Sequence, residues 1–292
     1  MSPAVPRVVL ATFCLCPEGE FGGQLLVDAL ERRGVDASWS SWDDPTVDWA
    51  GADLVAVRAT WDYQRRLPAF RSWWERVEVA TRFLNGADAF AWNVDKRYLA
   101  ELKAASVPTV PGVVVDDDDL LGGLTDALAR WESVVLKPCI GAGGVGVVVV
   151  ESVEDWSLAG LTAGPWLAQP LVASVRTRGE SSVIVLGGRA VAQVDKVPSS
   201  GEVRVHEQHG GTSRAVPVDP EIADLARAAV AAAEGILGDS LDYARVDLLE
   251  LDGRLVVSEL ELIEPGLYLD LVPAVAEAFA DTVLCRLDRA GD

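Results

Sequence analysis

Late in the chain, Glu259 and Glu261 stand two residues apart in Ser258-Glu259-Leu260-Glu261-Leu262. A strand sends alternate side chains to opposite faces, so the two glutamates would share one face. Asp247 shares a face with Arg245 in the preceding apolar run, and Asp252-Gly253 between the runs is a turn signal. Paired as a hairpin, the two runs bring three carboxylates together. Mg²⁺ takes oxygen ligands, and a few carboxylates plus phosphate oxygens complete its shell. Two such ions can neutralise the charge on a transferring phosphoryl group. Alternating Glu and Leu is equally the pattern of a strand with one solvated face, so other phosphate-binding residues must decide between the readings.

Such residues lie upstream. Gly141-Ala142-Gly143-Gly144-Val145-Gly146 matches G-x-G-x-x-G. In a dinucleotide fold this motif follows a strand and opens a helix whose N-terminus holds the pyrophosphate. Here it is followed by Val147-Val148-Val149-Val150, a β-branched run suited to a strand. Strand, glycine loop, strand is therefore expected over 133–151, and such a loop can fold over a polyphosphate with its backbone N–H groups unobstructed. Lys137 closes the leading strand in Val135-Leu136-Lys137-Pro138. A cation there is costly without an anionic partner, and a phosphate is one; a lysine snorkelling to the surface is the plainer alternative. A dinucleotide oxidoreductase would need a helix after Gly146. A non-catalytic nucleotide binder would not need every charged part.

Positioning these groups takes a mixed architecture. The first third alternates strand and helix: strands over Arg7–Thr12, 36–42 and 53–59, helices over 22–34 and 70–83. That alternation implies an open α/β layer with a parallel sheet, bounded near Trp92. A helix is expected over 94–105, a strand over 111–115, a helix over 120–131, then the strand–loop–strand unit. Strands over 181–186 and 189–196 flank Gly187-Gly188, a hairpin signal. A polar, glycine-containing loop over 198–211 follows, then an Ala-rich helix opened by Asp219-Pro220, strands over 244–250 and 255–263, and a helix after Pro273. The run Asp116–Asp119 reads as a solvated loop with a helix N-cap, not a metal site.

Composition narrows the function classes. With 50% hydrophobic and 24% charged residues the chain is globular. Twenty-five basic against 45 acidic residues give a net charge of −20, which repels phosphate backbones and anionic lipid, so neither nucleic acid nor membrane is expected as a partner. No apolar run reaches the roughly 20 residues of a membrane span, and the start of the chain lacks a secretory signal pattern. Cys14, Cys16, Cys139 and Cys285 fit no common zinc spacing. With only His206 and His209 present, His-based nucleophilic triads are disfavoured; the two sit in the polar loop, where substrate contact and plain exposure are equally open. Trp39, Trp42, Trp49, Trp73 and Trp74 read as packing residues.

In order along the chain come the Lys137 strand with its glycine loop, Gly179-Glu180, Lys196-Val197-Pro198, Gly201-Glu202-Val203-Arg204, Gly210-Gly211, Asp247, and Glu259 with Pro265. By this order the chain resembles the ATP-grasp superfamily, and within it the glutathione-synthetase branch, over nearly its whole length. The resemblance implies an α/β fold with α+β lobes: an N-terminal open parallel α/β domain over 1–92, a central ATP-grasp lobe with a glycine-rich lid over 93–168, and a C-terminal ATP-grasp lobe over 169–292. It implies an ATP-dependent, ADP-forming carboxylate–amine ligase that works through an acyl phosphate on a small amino-acid-like substrate. ATP and Mg²⁺, as two ions, would be the cofactors of a cytoplasmic enzyme that forms a homodimer.

By the same resemblance, Lys96 and Lys137 with Gly141, Gly143 and Gly144 would hold the ATP phosphates. The segment around Gln169 and Leu171 would read adenine, and Glu180 would support the nucleotide. Lys196, Arg204 and Arg245 would serve catalysis, and Asp247, Glu259 and Glu261 would bind metal. Arg58, Arg204, His206, Gly210 and Glu264 would meet substrate. Glu261 departs from the branch, which usually has asparagine there. Trp61-Asp62-Tyr63, Trp92-Asn93-Val94-Asp95-Lys96 and the segment from Glu259 to Pro265 are similar to a narrower family of cyclo-ligases, which close O-ureido-D-serine to D-cycloserine in antibiotic assembly. An intermolecular amino-acid or peptide ligase is the alternative.

Overall fold

The computed structural model describes residues 5–288. Strands β1 (Arg7–Thr12), β2 (Asp36–Ser41), β3 (Leu54–Ala59) and β4 (Arg82–Phe83) form a parallel sheet in the order β2-β1-β3-β4. Helices α1 (Gln24–Glu31), α2 (Leu67–Ala80) and α3 (Gly86–Asn93) accompany it. Val8, Val9, Leu10 and Ala11 are all fully buried, which is why β1 reads as an unbroken apolar run rather than an alternating one. Trp42, Trp73 and Trp74 pack with Phe70, Phe83 and Phe90 on one face of this sheet, as expected of core tryptophans.

Next come α4 (Tyr98–Ala104), β5 (Val113–Val115), α5 (Leu120–Arg130), β6 (Val134–Pro138), β7 (Val148–Val150) and β8 (Trp166–Pro170). The four strands form an antiparallel sheet, β5-β8-β6-β7, with its own hydrophobic cluster around Leu124, Leu136 and Trp166. The expected strand–loop–strand unit is present: β6 and β7 are antiparallel neighbours joined by the glycine loop, and no helix follows Gly146. Strands β9 (Glu180–Leu186), β10 (Arg189–Val197), β11 (Thr212–Val216), β12 (Tyr243–Leu251) and β13 (Arg254–Glu261) make a five-stranded antiparallel sheet, β11-β10-β9-β12-β13, joined by α6 (Pro220–Leu237) and α7 (Ala274–Asp288). Gly187 and Gly188 have φ of 53° and 74° between β9 and β10; two successive positive φ values match the twist of the flanking strands and favour glycine.

Several elements differ from expectation: the helix expected over 70–83 ends at Ala80 and Arg82–Phe83 becomes β4, and β8 has no counterpart among the expected strands. Residues 86–93 form α3, and the next helix begins at Tyr98 rather than Val94. Half of the buried residues of α3 are alanines, which give little apolar periodicity to read. The polar loop ends at 211, and Thr212–Val216 becomes the edge strand β11, whose Thr-Ser-Arg-Ala-Val sequence is largely exposed. The divisions drawn at 92/93 and 168/169 fall inside α3 and β8. We propose divisions that keep both whole, since α3 packs with the parallel sheet and β8 pairs with β5 and β6. The outer ends of the first and last segments, 1–4 and 289–292, lie outside the described residues. No helix among the described residues is long and apolar enough to cross a membrane.

The parallel sheet and the five-stranded sheet share a core. Leu10, Leu54 and Ala56 pack with Ile184, Leu186, Tyr243 and Phe279 in one cluster. Asn85 ties the two together: its Nδ2 donates to the carbonyls of Tyr243 and Leu262, each at 2.8 Å, and its Oδ1 accepts from the Asp242 amide at 2.7 Å. Its φ is 65°, a left-handed backbone that asparagine tolerates better than most side chains. Helix α4 packs between α6, β13 and the central sheet, sharing a cluster with Leu167 of β8 and with Cys139, which sets Lys96 at its foot beside the carboxylate-bearing hairpin.

Candidate active site

A cavity of about 440 Å³ opens where the three sheets meet. Its floor is the β12–β13 hairpin. Asp247 faces Glu259 across the two strands, and Arg245 faces Glu261. Ligand oxygens of Asp247, Glu259 and Glu261 all lie within 4.8 Å of one another, and no other acidic, Cys or His group of this kind occurs among the described residues. A β-bulge at Ser258 interrupts the pairing just after Asp247, and its Oγ donates to Glu180 Oε2 at 3.1 Å. Bulges of this kind re-aim neighbouring side chains.

Each carboxylate is held by cations. Arg245 grips Asp247 with Nε at 3.0 Å and Nη2 at 2.9 Å, and also pairs with Glu261. Lys196, on β10 and 2% exposed, reaches Glu180 at 2.6 Å and Asp247 at 3.5 Å. Lys96 reaches Glu259 at 2.8 Å. Burial alone would raise the Asp247 pKa, but the Arg245 and Lys196 charges outweigh it and hold the carboxyl well below its usual range. Burial likewise opposes ionisation of Glu259, yet Lys96 and Lys137 keep its pKa low. Glu261 goes the other way: burial, with Asp247 and Glu259 beside it, lifts it to about 7 despite Arg245. Three oxygen donors crowded until one resists ionisation are a set short of positive charge. A hard divalent cation fits that donor set, because it takes deprotonated carboxylates.

The roof is the glycine loop. Gly143 and Gly144 have φ of 61° and 69°, a region costly for side chains other than glycine. Lys96 Nζ donates to the Gly141 carbonyl at 3.0 Å, and the loop over 198–211 closes from the other side. Gln208 Nε2 donates to the Gly143 carbonyl at 3.2 Å, and His209 Nε2 lies 3.2 Å from the same oxygen. Arg204 pairs with Glu202 at 2.5 Å; this pairing pulls the Glu202 pKa down to about 2. His206 is kept neutral, its pKa lowered to about 4 by burial and then by Lys196, and its Nδ1 is buried without a partner.

Of the residues expected at the site, the structure gathers all but two around this cavity. Lys96, Lys137, Gly141, Gly143, Gly144, Gln169, Leu171, Glu180, Lys196, Arg204, His206, Arg245, Asp247, Glu259, Glu261 and Glu264 line it. Arg58 does not. It is fully buried, pairs with Glu20 at 3.1 Å, donates to the Pro265 carbonyl, and lies 5.1 Å from the Tyr243 ring centroid. An arginine so enclosed braces the wall from behind rather than lining the cavity. Gly210 is also outside the lining; its φ of 82° instead closes the turn Glu207–His209.

Sequence reasoning missed several lining residues. Glu20 enters from the loop after β1, where its Oε2 accepts from the Leu267 amide at 2.6 Å. Trp61 and Tyr63, which the sequence motif leaves without a role, both line the cavity, and Trp61 Nε1 donates to the Glu264 carbonyl at 3.2 Å. Tyr268 lines it too, at a φ of 54°. An acid in a glycine-rich loop carries no signal of such a role. The pairing of Trp61-Asp62-Tyr63 with the Glu259–Pro265 segment as joint motifs was the one available hint.

Residues 8–85 match the family described as the N-terminal domain of D-cycloserine synthetase DcsG. Residues 108–250 match the ATP-grasp domain of prokaryotic glutathione synthetase. The cycloserine biosynthesis protein DcsG of Streptomyces lavendulae is 32% identical over 278 residues, covering 90% of this chain and 92% of that protein. The crystal structure of D-cycloserine synthetase DcsG superposes with a TM-score of 0.88 at 30% identity, covering 96% of this chain and 99% of that one. The ATP-grasp ligase PsnB, in a structure with minimal precursor, Mg and ADP, shares the fold at a TM-score of 0.64 and 18% identity, covering 96% and 98%. The chain is thus an ATP-dependent ligase of the ATP-grasp fold, and it belongs to the family of D-cycloserine synthetase DcsG.

Proposed function

We propose that this cavity is an ATP-dependent, ring-closing ligase site acting on O-ureido-D-serine. The observation that carries the chemistry is the convergence of three carboxylates beneath a glycine loop and two lysines in one cavity; likeness to DcsG over nine-tenths of the chain carries the substrate. Lys96, Lys137 and the backbone of Gly141, Gly143 and Gly144 hold the ATP phosphates. Gln169 and Leu171 flank the adenine, with Glu180 behind. Asp247, Glu259 and Glu261 would hold Mg²⁺, as two ions, and the bound metal would neutralise charge on the phosphates.

The substrate carboxylate attacks the γ-phosphorus and ADP leaves, giving an acyl phosphate. Arg204 and Lys137 set fixed positive charge against the oxygens on which negative charge grows. Lys196 and Arg245 hold Asp247 ionised and in place. The oxygen-bound nitrogen of the ureido group then attacks the acyl carbon, phosphate leaves, and a five-membered ring closes. Water removes the carbamoyl group as carbon dioxide and ammonia. Gln208 and His209, seated on Gly143, keep the two loops together so that water does not reach the acyl phosphate first.

The test is ADP release with O-ureido-D-serine, with the product mass measured. The expected result is substrate-dependent ADP and a cyclic product. ADP release that depends instead on an added amine, with an acyclic product, would make the enzyme an intermolecular ligase. Arg204→Ala should lower kcat by ~100-fold while leaving the ATP KM within about threefold, the pattern of a donor that acts mainly in the transition state. An unchanged kcat would remove Arg204 from the reaction.

A further inference from the structure

We infer that Glu264 is the specificity-determining residue for a substrate ammonium group, in a subsite bounded by Trp61 and Tyr63. The inference rests on reading the cavity as the site of an amino-acid-like carboxylate. Glu264 follows β13, is 7% exposed, and lines the cavity. Its side chain has no ion-pair partner and no side-chain hydrogen bond among the described residues; only its own amide reaches it.

The other buried acids of the cavity are paired: Glu20 with Arg58, Glu180 with Lys196, Asp247 with Arg245, and Glu259 with Lys96. The cations near Glu264 are committed elsewhere. Lys96 is held by Glu259 and by the Gly141 carbonyl, and Arg245 by Asp247 and Glu261. An ionised carboxylate taken out of water without a partner is unfavourable. Burial, with Glu261 beside it, lifts the Glu264 pKa to about 8, so the empty site holds a carboxyl without a partner, which an arriving cation ionises and completes.

Metal is not the natural occupant. Glu264 stands outside the group of three carboxylates whose oxygens come within 4.8 Å of one another. An ammonium is compact, offers three donors, and tolerates aromatic walls. Trp61 and Tyr63 line the same cavity, and Trp61 is pinned to this segment by its bond to the Glu264 carbonyl. An α-ammonium lies one carbon from the carboxylate to be activated. Glu264 lies three residues beyond Glu261 and feels its charge, so anchoring the ammonium there presents the carboxylate toward the metal-binding triad.

The experiment compares wild type with Glu264→Gln, an isosteric change, using O-ureido-D-serine, free D- and L-amino acids, and the analogue of O-ureido-D-serine with hydrogen in place of the amine. In wild type the deamino analogue should lose ~10–150-fold in kcat/KM, the range of a charge-assisted hydrogen bond. In Glu264→Gln the amine-bearing substrate should fall by a similar factor, the two substrates should then differ by less than about threefold, and ADP affinity should hold. The variant should melt no lower than wild type, since the change replaces a buried carboxyl that has no side-chain partner with an isosteric amide. A variant that melts lower yet still discriminates the amine fully would make Glu264 structural and overturn the subsite. Wild-type enzyme that turns over carboxylates without an amine as well as those with one would overturn the subsite while leaving the ligase reading intact. No ADP release with any carboxylate would overturn both.

Discussion

Asp247→Ala should lose both turnover and stability, more of each than any other single change in the site. The carboxylate is 3% exposed, gripped by Arg245 through two bonds and approached by Lys196. Ser182 Oγ donates to its Oδ1 as well. Removing it leaves two buried cations with less compensation, which costs on the order of 3–5 kcal/mol when a buried pair is broken from one side. The lost metal ligand should lower ligase turnover by more than about 100-fold, since even outer partners of metal ligands cost 10–100-fold. Thermal unfolding and ADP release measure the two effects, and Mg²⁺ should raise the melting temperature of wild type but not of the variant. The stability gap should also depend on pH. The folded-state pKa lies below the unfolded value of about 3.9, so the contribution is complete above that value and fades as the pH falls through the depressed pKa. A variant that melts like wild type at neutral pH, or that still answers to Mg²⁺, would remove Asp247 from the centre of the site.

Lys137→Ala should weaken ATP binding by about 10–150-fold while leaving the fold intact, the range of one charge-assisted hydrogen bond. Lys137 ends β6 directly before the glycine loop and lines the cavity beside Glu259, whose ionisation it supports. It makes no ion pair within 4 Å among the described residues, so its charge is free to meet phosphate. Titration of ATP and of ADP into both proteins reads the effect. Wild-type affinity in the variant would place the lysine at the surface, as the snorkelling alternative holds.

What the sequence made legible, and what it did not, follows from how far apart the contributing residues lie. The metal and phosphate residues sit in short contiguous patterns on single strands, where period two and glycine spacing express themselves within a few positions. Asp247, Glu259 and Glu261 needed only one hairpin to converge, and that hairpin was signalled by Asp252-Gly253. The open parallel layer was visible because β1 and β3 are buried on both faces. The wall contributed by the N-terminal sheet was not visible. Glu20 reaches the site through the Leu267 amide, and Trp61 through the Glu264 carbonyl, contacts across about 200 residues or more. Arg58 shows the same limit from the other side: a strand-end arginine has one sequence signature whether it meets a ligand or a buried glutamate behind it. Short α3 was hidden by alanine and edge strand β11 by polar residues, because both take their structure from neighbours rather than from their own periodicity.

The separateness of the central sheet has a consequence for how this enzyme gives way. Its cluster around Leu136 and Trp166 touches none of the residues that knit the outer two sheets into one body. Its attachment to the remainder is narrow: Leu167 and Cys139 in the cluster of α4, α6 and the five-stranded sheet, the Lys96 amide bonded to the Cys139 carbonyl, and Thr109 and Val110 bridging Val257. Heat or denaturant can therefore melt this layer, with the roof it carries, while the remainder stays folded. A nucleotide gripped between layer and floor would fasten the weaker piece to the stronger, so that a protein failing in two steps when empty fails in one when occupied.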